Sequence, residues 1–254
     1  MPPSASHLGF PMRALCLCLL FFGQLLGHAQ DYKKVSCRFL ALDGNAPPPP
    51  LLNIGDKGSE IACTVYTNSL SPPTICFGKE NVLTFISTGD RKPAALATVP
   101  PNVSAAIMVF VAAPKDPKTP NALPWRVFVI EDTVKNFPDG GAFVANFHNQ
   151  DIRFVIGESK IMLHPAGFHG FPMPKERNNF NMAPVVFEFL QKDKWRTASE
   201  SMLRFLPGIR YLIFAYVDSA SDRPRIATFQ DFGNPKHSAP PKAAPGKPVA
   251  PAPK

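Results

Sequence analysis

The residues able to do chemistry are few, and most lie in the second half of the chain. His148, His164 and His169 stand near Asp151, Glu158 and Glu176, and His164 and His169 flank the short run Pro-Ala-Gly-Phe. A turn that brought two or three imidazoles and a carboxylate to about 2 Å from one point could hold a zinc-like ion. The spacing has no HExxH pattern, so these three are metal candidates against the plainer reading of loop histidines. Of the five cysteines, Cys16 and Cys18 fall in an N-terminal apolar run, leaving Cys37, Cys63 and Cys76. An odd number leaves at least one thiol outside any bridge. Cys63–Cys76 is the first choice for a disulfide, across a hairpin turning near residues 68–71; the other reading is three buried small apolar side chains. No C-x₂₋₄-C spacing supports zinc, and every core cysteine is in the opposite half from the histidines, which is unfavourable for blue copper. Trp125 and Trp195, each followed by arginine, offer either a sugar-stacking face or core packing. Glu131 and Asp132 are adjacent on an expected strand and point to opposite faces, the wrong geometry for a paired-carboxylate glycosidase. GxSxG, S-x-x-K, GxGxxG and P-loop patterns are all missing. No catalytic residue and no cofactor is expected.

The elements that must position these side chains follow from composition. Hydrophobic residues make up 45% of the 254 and charged residues 18%, enough apolar material for a core and too little charge for global disorder. Arg13 precedes ALCLCLLFFGQLL, an apolar run too short to span a bilayer of about 30 Å, and Gly27-His28-Ala29 follows. That pattern reads as a secretory signal peptide, residues 1–29, cut after Ala29. The expected location is secreted or periplasmic, and no transmembrane span is expected in the mature protein.

The formal net charge of +8 is unevenly spread. Setting aside Arg13, Lys236, Lys242, Lys247 and Lys254 leaves 22 cations against 19 acids. The core is therefore near neutral, with no basic stripe and no aromatic RNA-stacking motif, so no nucleic-acid partner is expected. Residues 233–254 hold seven prolines, four lysines, no acid and no aromatic residue. This tail is expected to be disordered and partly polyproline-II. It is either a solubilising end or a cationic tether for an anionic envelope polymer.

An internal repeat organises the rest. Residues 39–42 align with 143–146, 54–56 with 156–158, 83–90 with 186–193, 105–111 with 210–216 and 126–132 with 225–231. The five blocks keep one order and nearly one spacing. Strands are expected at 61–66, 82–87, 107–111, 127–130, 152–156, 161–163, 185–190 and 211–217, rich in Val, Ile, Phe and Thr and broken by Pro, Asn or Asp. The last of these is apolar throughout, as a strand covered on both faces must be. Residues 132–136 could make one helical turn. The pattern predicts an all-β chain of two tandem antiparallel β-sandwiches of immunoglobulin-like size, residues 35–133 and 141–232, after a signal helix and before the tail.

The opening CRFLALDGN, the repeated strand, Gly-acid, strand block, and the pairs ATVPPN with AAIMVFV and LRFLPG with IRYLIFAYV carry a resemblance. Over residues 35–232 the chain resembles uncharacterised secreted bacterial proteins made of tandem immunoglobulin-like β-sandwich domains. The resemblance implies the fold and brings no catalytic residue with it. The resulting expectation is an exported, non-catalytic binding or scaffolding protein of the cell envelope, whose partner is an anionic envelope polymer or another envelope protein. The alternatives are a hydrolase or metal-dependent enzyme using the histidines of the second half, and a carbohydrate-binding module.

Overall fold

The computed structural model describes residues 32–42, 48–113, 122–218, 221 and 223–232. The expected signal peptide and the Pro/Lys-rich tail lie outside these residues. Among the described residues, sixteen strands follow one another with almost no helix. The first eight are β1 (Tyr32–Ala41), β2 (Leu51–Ile54), β3 (Glu60–Cys63), β4 (Thr74–Lys79), β5 (Val82–Ser87), β6 (Pro93–Thr98), β7 (Ala105–Ala112) and β8 (Trp125–Glu131). The second eight are β9 (Ala142–Asn146), β10 (Ile152–Ile156), β11 (Ser159–Leu163), β12 (Phe168–Phe171), β13 (Met182–Gln191), β14 (Lys194–Arg204), β15 (Arg210–Asp218) and β16 (Arg223–Asp231). The protein is an all-β sandwich fold, as its strand pattern predicts.

Hydrogen bonding repeats between the two sets. In the second set the four-stranded sheets are β11-β10-β13-β14 and β12-β9-β15-β16. In the first set, β3-β2-β5-β6 and β4-β1-β7-β8 have the same internal order. There the β4–β5 hairpin joins them into one eight-stranded sheet through the pairs Gly78:Leu83 and Lys79:Val82. That hairpin turns on Glu80 and Asn81, both at positive φ, the conformation a two-residue primed turn demands. The sheets are not purely antiparallel: β1 runs parallel to β7, and β9 parallel to β15.

These parallel pairs are the most buried strands, which explains their apolar runs at 39–41, 105–112, 142–145 and 211–217. Odd-numbered residues of β1 and even-numbered residues of β7, such as Phe39 and Met108, face a first core. Leu40, Ile107 and Val109 face the other way, into a core shared with Phe143, Leu212 and Phe214 of β9 and β15. Val144 and Ile213 point on into a third core against β10 and β13. The order is therefore sheet, core, sheet, shared core, sheet, core, sheet.

The ladders correct the residue-level alignment of the repeat. Phe39 lies beside Met108, and Val144 beside Ile213, all four facing the outer cores. Phe39 is thus equivalent to Val144, and Phe143 faces the shared core instead. Ile54 and Leu83 likewise correspond to Val155 and Val185, each one residue from the sequence match. A slip of one residue inverts every side chain of a strand, so matching apolar letters found the right strands in the wrong register. The blocks 105–111 with 210–216 and 126–132 with 225–231 keep both register and face.

The connection between the sets is the expected turn. The Phe137 N–H donates to the Thr133 carbonyl at 2.8 Å, and Thr133 Oγ1 accepts from the Asn136 N–H at 3.4 Å. Gly141, just before β9, fits under the Phe171 carbonyl where a Cβ would come to 2.1 Å.

Candidate functional site

The three histidines do not assemble a site. His148 follows β9 in a buried polar corner: its N–H donates to Asn146 Oδ1 at 2.8 Å, and its Nδ1 accepts from the Gln150 N–H at 3.0 Å. Asn146, wholly buried, donates to the Gln150 and Leu163 carbonyls. Burial lowers the pKa of His148, and the accepted hydrogen bond requires an unprotonated Nδ1. His164 is exposed, with Nδ1 2.8 Å from Asp151 Oδ1. His169 is exposed on β12 and sets its ring edge-on to Phe171. Among the described residues, no three His, Cys, Asp or Glu side chains form a group able to hold a metal ion. His148, His164 and His169 therefore do not come together in one such group.

The tryptophans separate. Trp125 is buried in the first core at 8% exposure, so it offers no sugar-stacking face. Trp195 is half-buried on β14 with the Arg153 guanidinium 3.9 Å from its ring centre. Arg153 also pairs with Glu188 at 3.0 Å, and Lys160 reaches the same carboxylate at 3.6 Å. A cation already covers one face of that ring.

Cys37, Cys63 and Cys76 are buried thiols of the first core. Cys63 and Cys76 have their sulfurs 3.9 Å apart. They do not face each other across a hairpin: β3 and β4 belong to different four-stranded blocks, so the pair meets inside the sandwich. The intervening chain bridges Tyr66 to Leu40 and exchanges backbone and hydroxyl bonds between Ser71 and Phe39. Contact with Cys76, together with burial, pushes the Cys63 thiol far up. Contact with Cys37 raises Cys76, contact with Cys63 lowers it, and burial leaves the balance upward. Neither thiol is a nucleophile at neutral pH in the folded chain.

Two features of the junction between the strand sets were not foreseen. The first is a buried charge cluster at one end of the shared core. Arg38 donates to both oxygens of Asp231, at 3.0 and 2.5 Å, and Arg210 donates to Asp231 Oδ2 at 3.2 and 2.5 Å. Asp132 stands 3.5 Å from Arg38 and 3.2 Å from Arg210, and its Oδ1 lies off the hydrogen-bond direction. Arg210 also lies over the Phe137 ring at 4.0 Å. Burial alone would raise the pKa of Asp231; the hydrogen bonds and charges of Arg38 and Arg210 outweigh it and hold the pKa below the ordinary value. Asp132 and Asp231 are equivalent positions of the repeat, each closing the last strand of its set.

The second feature is a pocket of about 190 Å³ beside this cluster, lined by Phe128, Ile130 and Glu131 of β8, Asn136 of the connection, Phe143 of β9 and Phe168 of β12. Phe143 and Phe168 stack at 5.5 Å, and Phe128 meets Phe168 edge-on at 6.4 Å. Phe168, 57% exposed, forms the lip. Glu131 is half-buried and accepts from Asn136 Nδ2 at 2.8 Å, leaving its second carboxylate oxygen for another donor. An apolar cavity of about 150 Å³ accommodates a benzene ring, so the space suits one ring-sized group. The residue to notice in FHGF is Phe168 rather than its histidine neighbour; a large aromatic on a short Gly-containing strand is the signal. No helix among the described residues is long and apolar enough to cross a membrane. No family model matches the chain, and no curated protein matches its sequence.

Proposed function

We propose that the protein is an exported, non-catalytic binding protein of the cell envelope, and that its binding place is the aromatic pocket at the junction of the two strand sets. The observation behind this reading is the pairing of three phenylalanine rings with one half-buried carboxylate in a space of about 190 Å³. Apolar walls with one or two placed polar groups are the usual form of a ligand site. The matching chemistry is a ring or short hydrocarbon carrying an ammonium or another N–H donor: the rings take the apolar body and Glu131 takes the donor. Export rests on the N-terminal sequence, and attraction to an anionic envelope polymer rests on the four lysines of the tail.

The test is titration of the protein with benzylammonium and, separately, with toluene, followed by NMR. Saturable shifts centred on Phe128, Phe143 and Phe168 are expected with benzylammonium, weakened by Glu131→Gln and lost in Phe168→Ala. Binding to envelope fractions by a pull-down at low and high salt, with and without residues 233–254, reads the tail separately. Shifts that never saturate, or that ignore both substitutions, dispose of the pocket reading.

A further inference from the structure

Strand β14 is the open edge of its sheet, eleven residues long and exposed or half-exposed throughout. Its equivalent β6 is short, begins with Pro93 and buries Ala94, Ala95 and Ala97. A long open edge presents unpaired peptide groups to any matching strand.

The direction of those groups follows from the neighbouring strand. β13 sets Val186, Pro184 and Met182 opposite Glu200, Met202 and Arg204. Pro184 has no N–H, and its carbonyl accepts from the Gly157 N–H at 2.9 Å, away from β14. Met182 exchanges both of its backbone bonds with Asn178. The Phe205 N–H, one residue out of phase, points back to the Asn181 carbonyl. Opposed residues of an antiparallel ladder either exchange both bonds or turn both away. The peptide groups of Glu200, Met202 and Arg204 therefore point to the open side, where the Arg204 carbonyl already accepts from the Tyr211 hydroxyl.

We infer that β14 pairs with β14 of a second copy, antiparallel about a two-fold axis at Met202. In this register Met202 meets Met202, and Glu200 meets Arg204 twice. The two methionines exchange their N–H and carbonyl groups, and each Arg204 N–H donates to the opposing Glu200 carbonyl. These four ladder bonds need no change at Tyr211. Glu200 makes no ion pair among the described residues, and Arg204 uses only Nε, on the Phe180 carbonyl. Centring the axis on Glu200 would oppose like charges, and centring it on Ser201 or Leu203 would leave both charges unmatched. The bulge opposite Phe187 and Glu188 ends the regular edge before Ser199 and fixes its length. Met202, at 44% exposure, lies on this edge and loses solvent contact on pairing.

The experiment is sedimentation equilibrium of the full chain up to about 1 mM, the weak end of the affinity scale, with circular dichroism as the check on folding. Concentration-dependent dimers are expected. Glu200→Arg and Arg204→Glu should each weaken dimerisation about tenfold by placing like charges opposite one another, and the double exchange should restore it. Met202→Pro removes an N–H that the β13 ladder does not use, so it should leave the fold intact and abolish the dimer. A chain that stays monomeric throughout, or a dimer that the double exchange fails to restore, overturns the inference.

Discussion

Replacing Asp231 with asparagine keeps the shape of the side chain and removes one charge from a buried set of two arginines and two aspartates. Asp231 carries four of the charge-assisted hydrogen bonds in that set, two from each arginine. In the variant, Arg38 and Arg210 share only Asp132, and the side chains concerned are at most 10% exposed. Water cannot compensate the excess positive charge at that depth. Removing one member of a buried ion pair typically costs about 3–5 kcal/mol. For 150–250 residues each kcal/mol lowers Tm by about 2–4 °C, so the variant should melt about 6–20 °C below the parent. The pH dependence has a definite sign. A carboxyl depressed in the folded state stabilises above its unfolded pKa of about 3.9, and that contribution is lost as pH falls through the folded value. Calorimetry from pH 2 to 7 should show a steeper acid limb in the parent than in Asp231→Asn. A loss below about 1 kcal/mol at pH 7, under the range for a broken buried pair, would show that the cluster is hydrated and the reasoning wrong.

Four further outcomes are expected. Phe143→Ala, which empties part of the shared core, should cost about 3–5 kcal/mol by denaturant titration. Gly141→Ala drives a methyl into the Phe171 carbonyl and should lose about 1–3 kcal/mol, measured the same way. His148 has a lowered pKa, so the unfolded chain takes up its proton first; stability should fall as pH drops below about 6.5, and His148→Gln should flatten that slope in melting curves. In an oxidising compartment Cys63 and Cys76 should close a bridge during folding, before burial raises both thiols, and leave Cys37 as the single free thiol, counted on denatured, unreduced protein; the short loop contributes about 3 kcal/mol in the chain-entropy view.

Eight of the sixteen strands were legible as runs rich in Val, Ile, Phe and Thr. β5 and β10 coincide with their expected bounds, and the apolar run of β15 marks a strand covered on both sides. Three of the strands left unpredicted had reasons of their own. β14 is polar because it is an exposed edge, β12 is four residues interrupted by Gly170, and β6 is alanine-rich, a composition with little strand preference. Register was hidden more deeply. Phe39 and Phe143 look alike in sequence yet face different cores, since strands buried on both sides carry no alternation to mark the face. The charge cluster was out of reach for another reason: Arg38 and Asp231 are 193 positions apart, and no local pattern shows that two such residues meet.

The shared core amounts to a subunit interface inside a single polypeptide. Each strand set offers the other the same sheet, bearing equivalent strands, as two protomers of a symmetric pair would. Joined by a connection, the two faces need not be identical. One set could then join its sheets through β4 and β5, the other could leave β14 open, and arginines could come from β1 of one and β15 of the other to serve a pair of equivalent aspartates. Neither set alone would be water-ready: Leu40, Ile107 and Val109, or Phe143, Leu212 and Phe214, would be left uncovered. Either fragment expressed alone would have to find a substitute for its missing twin.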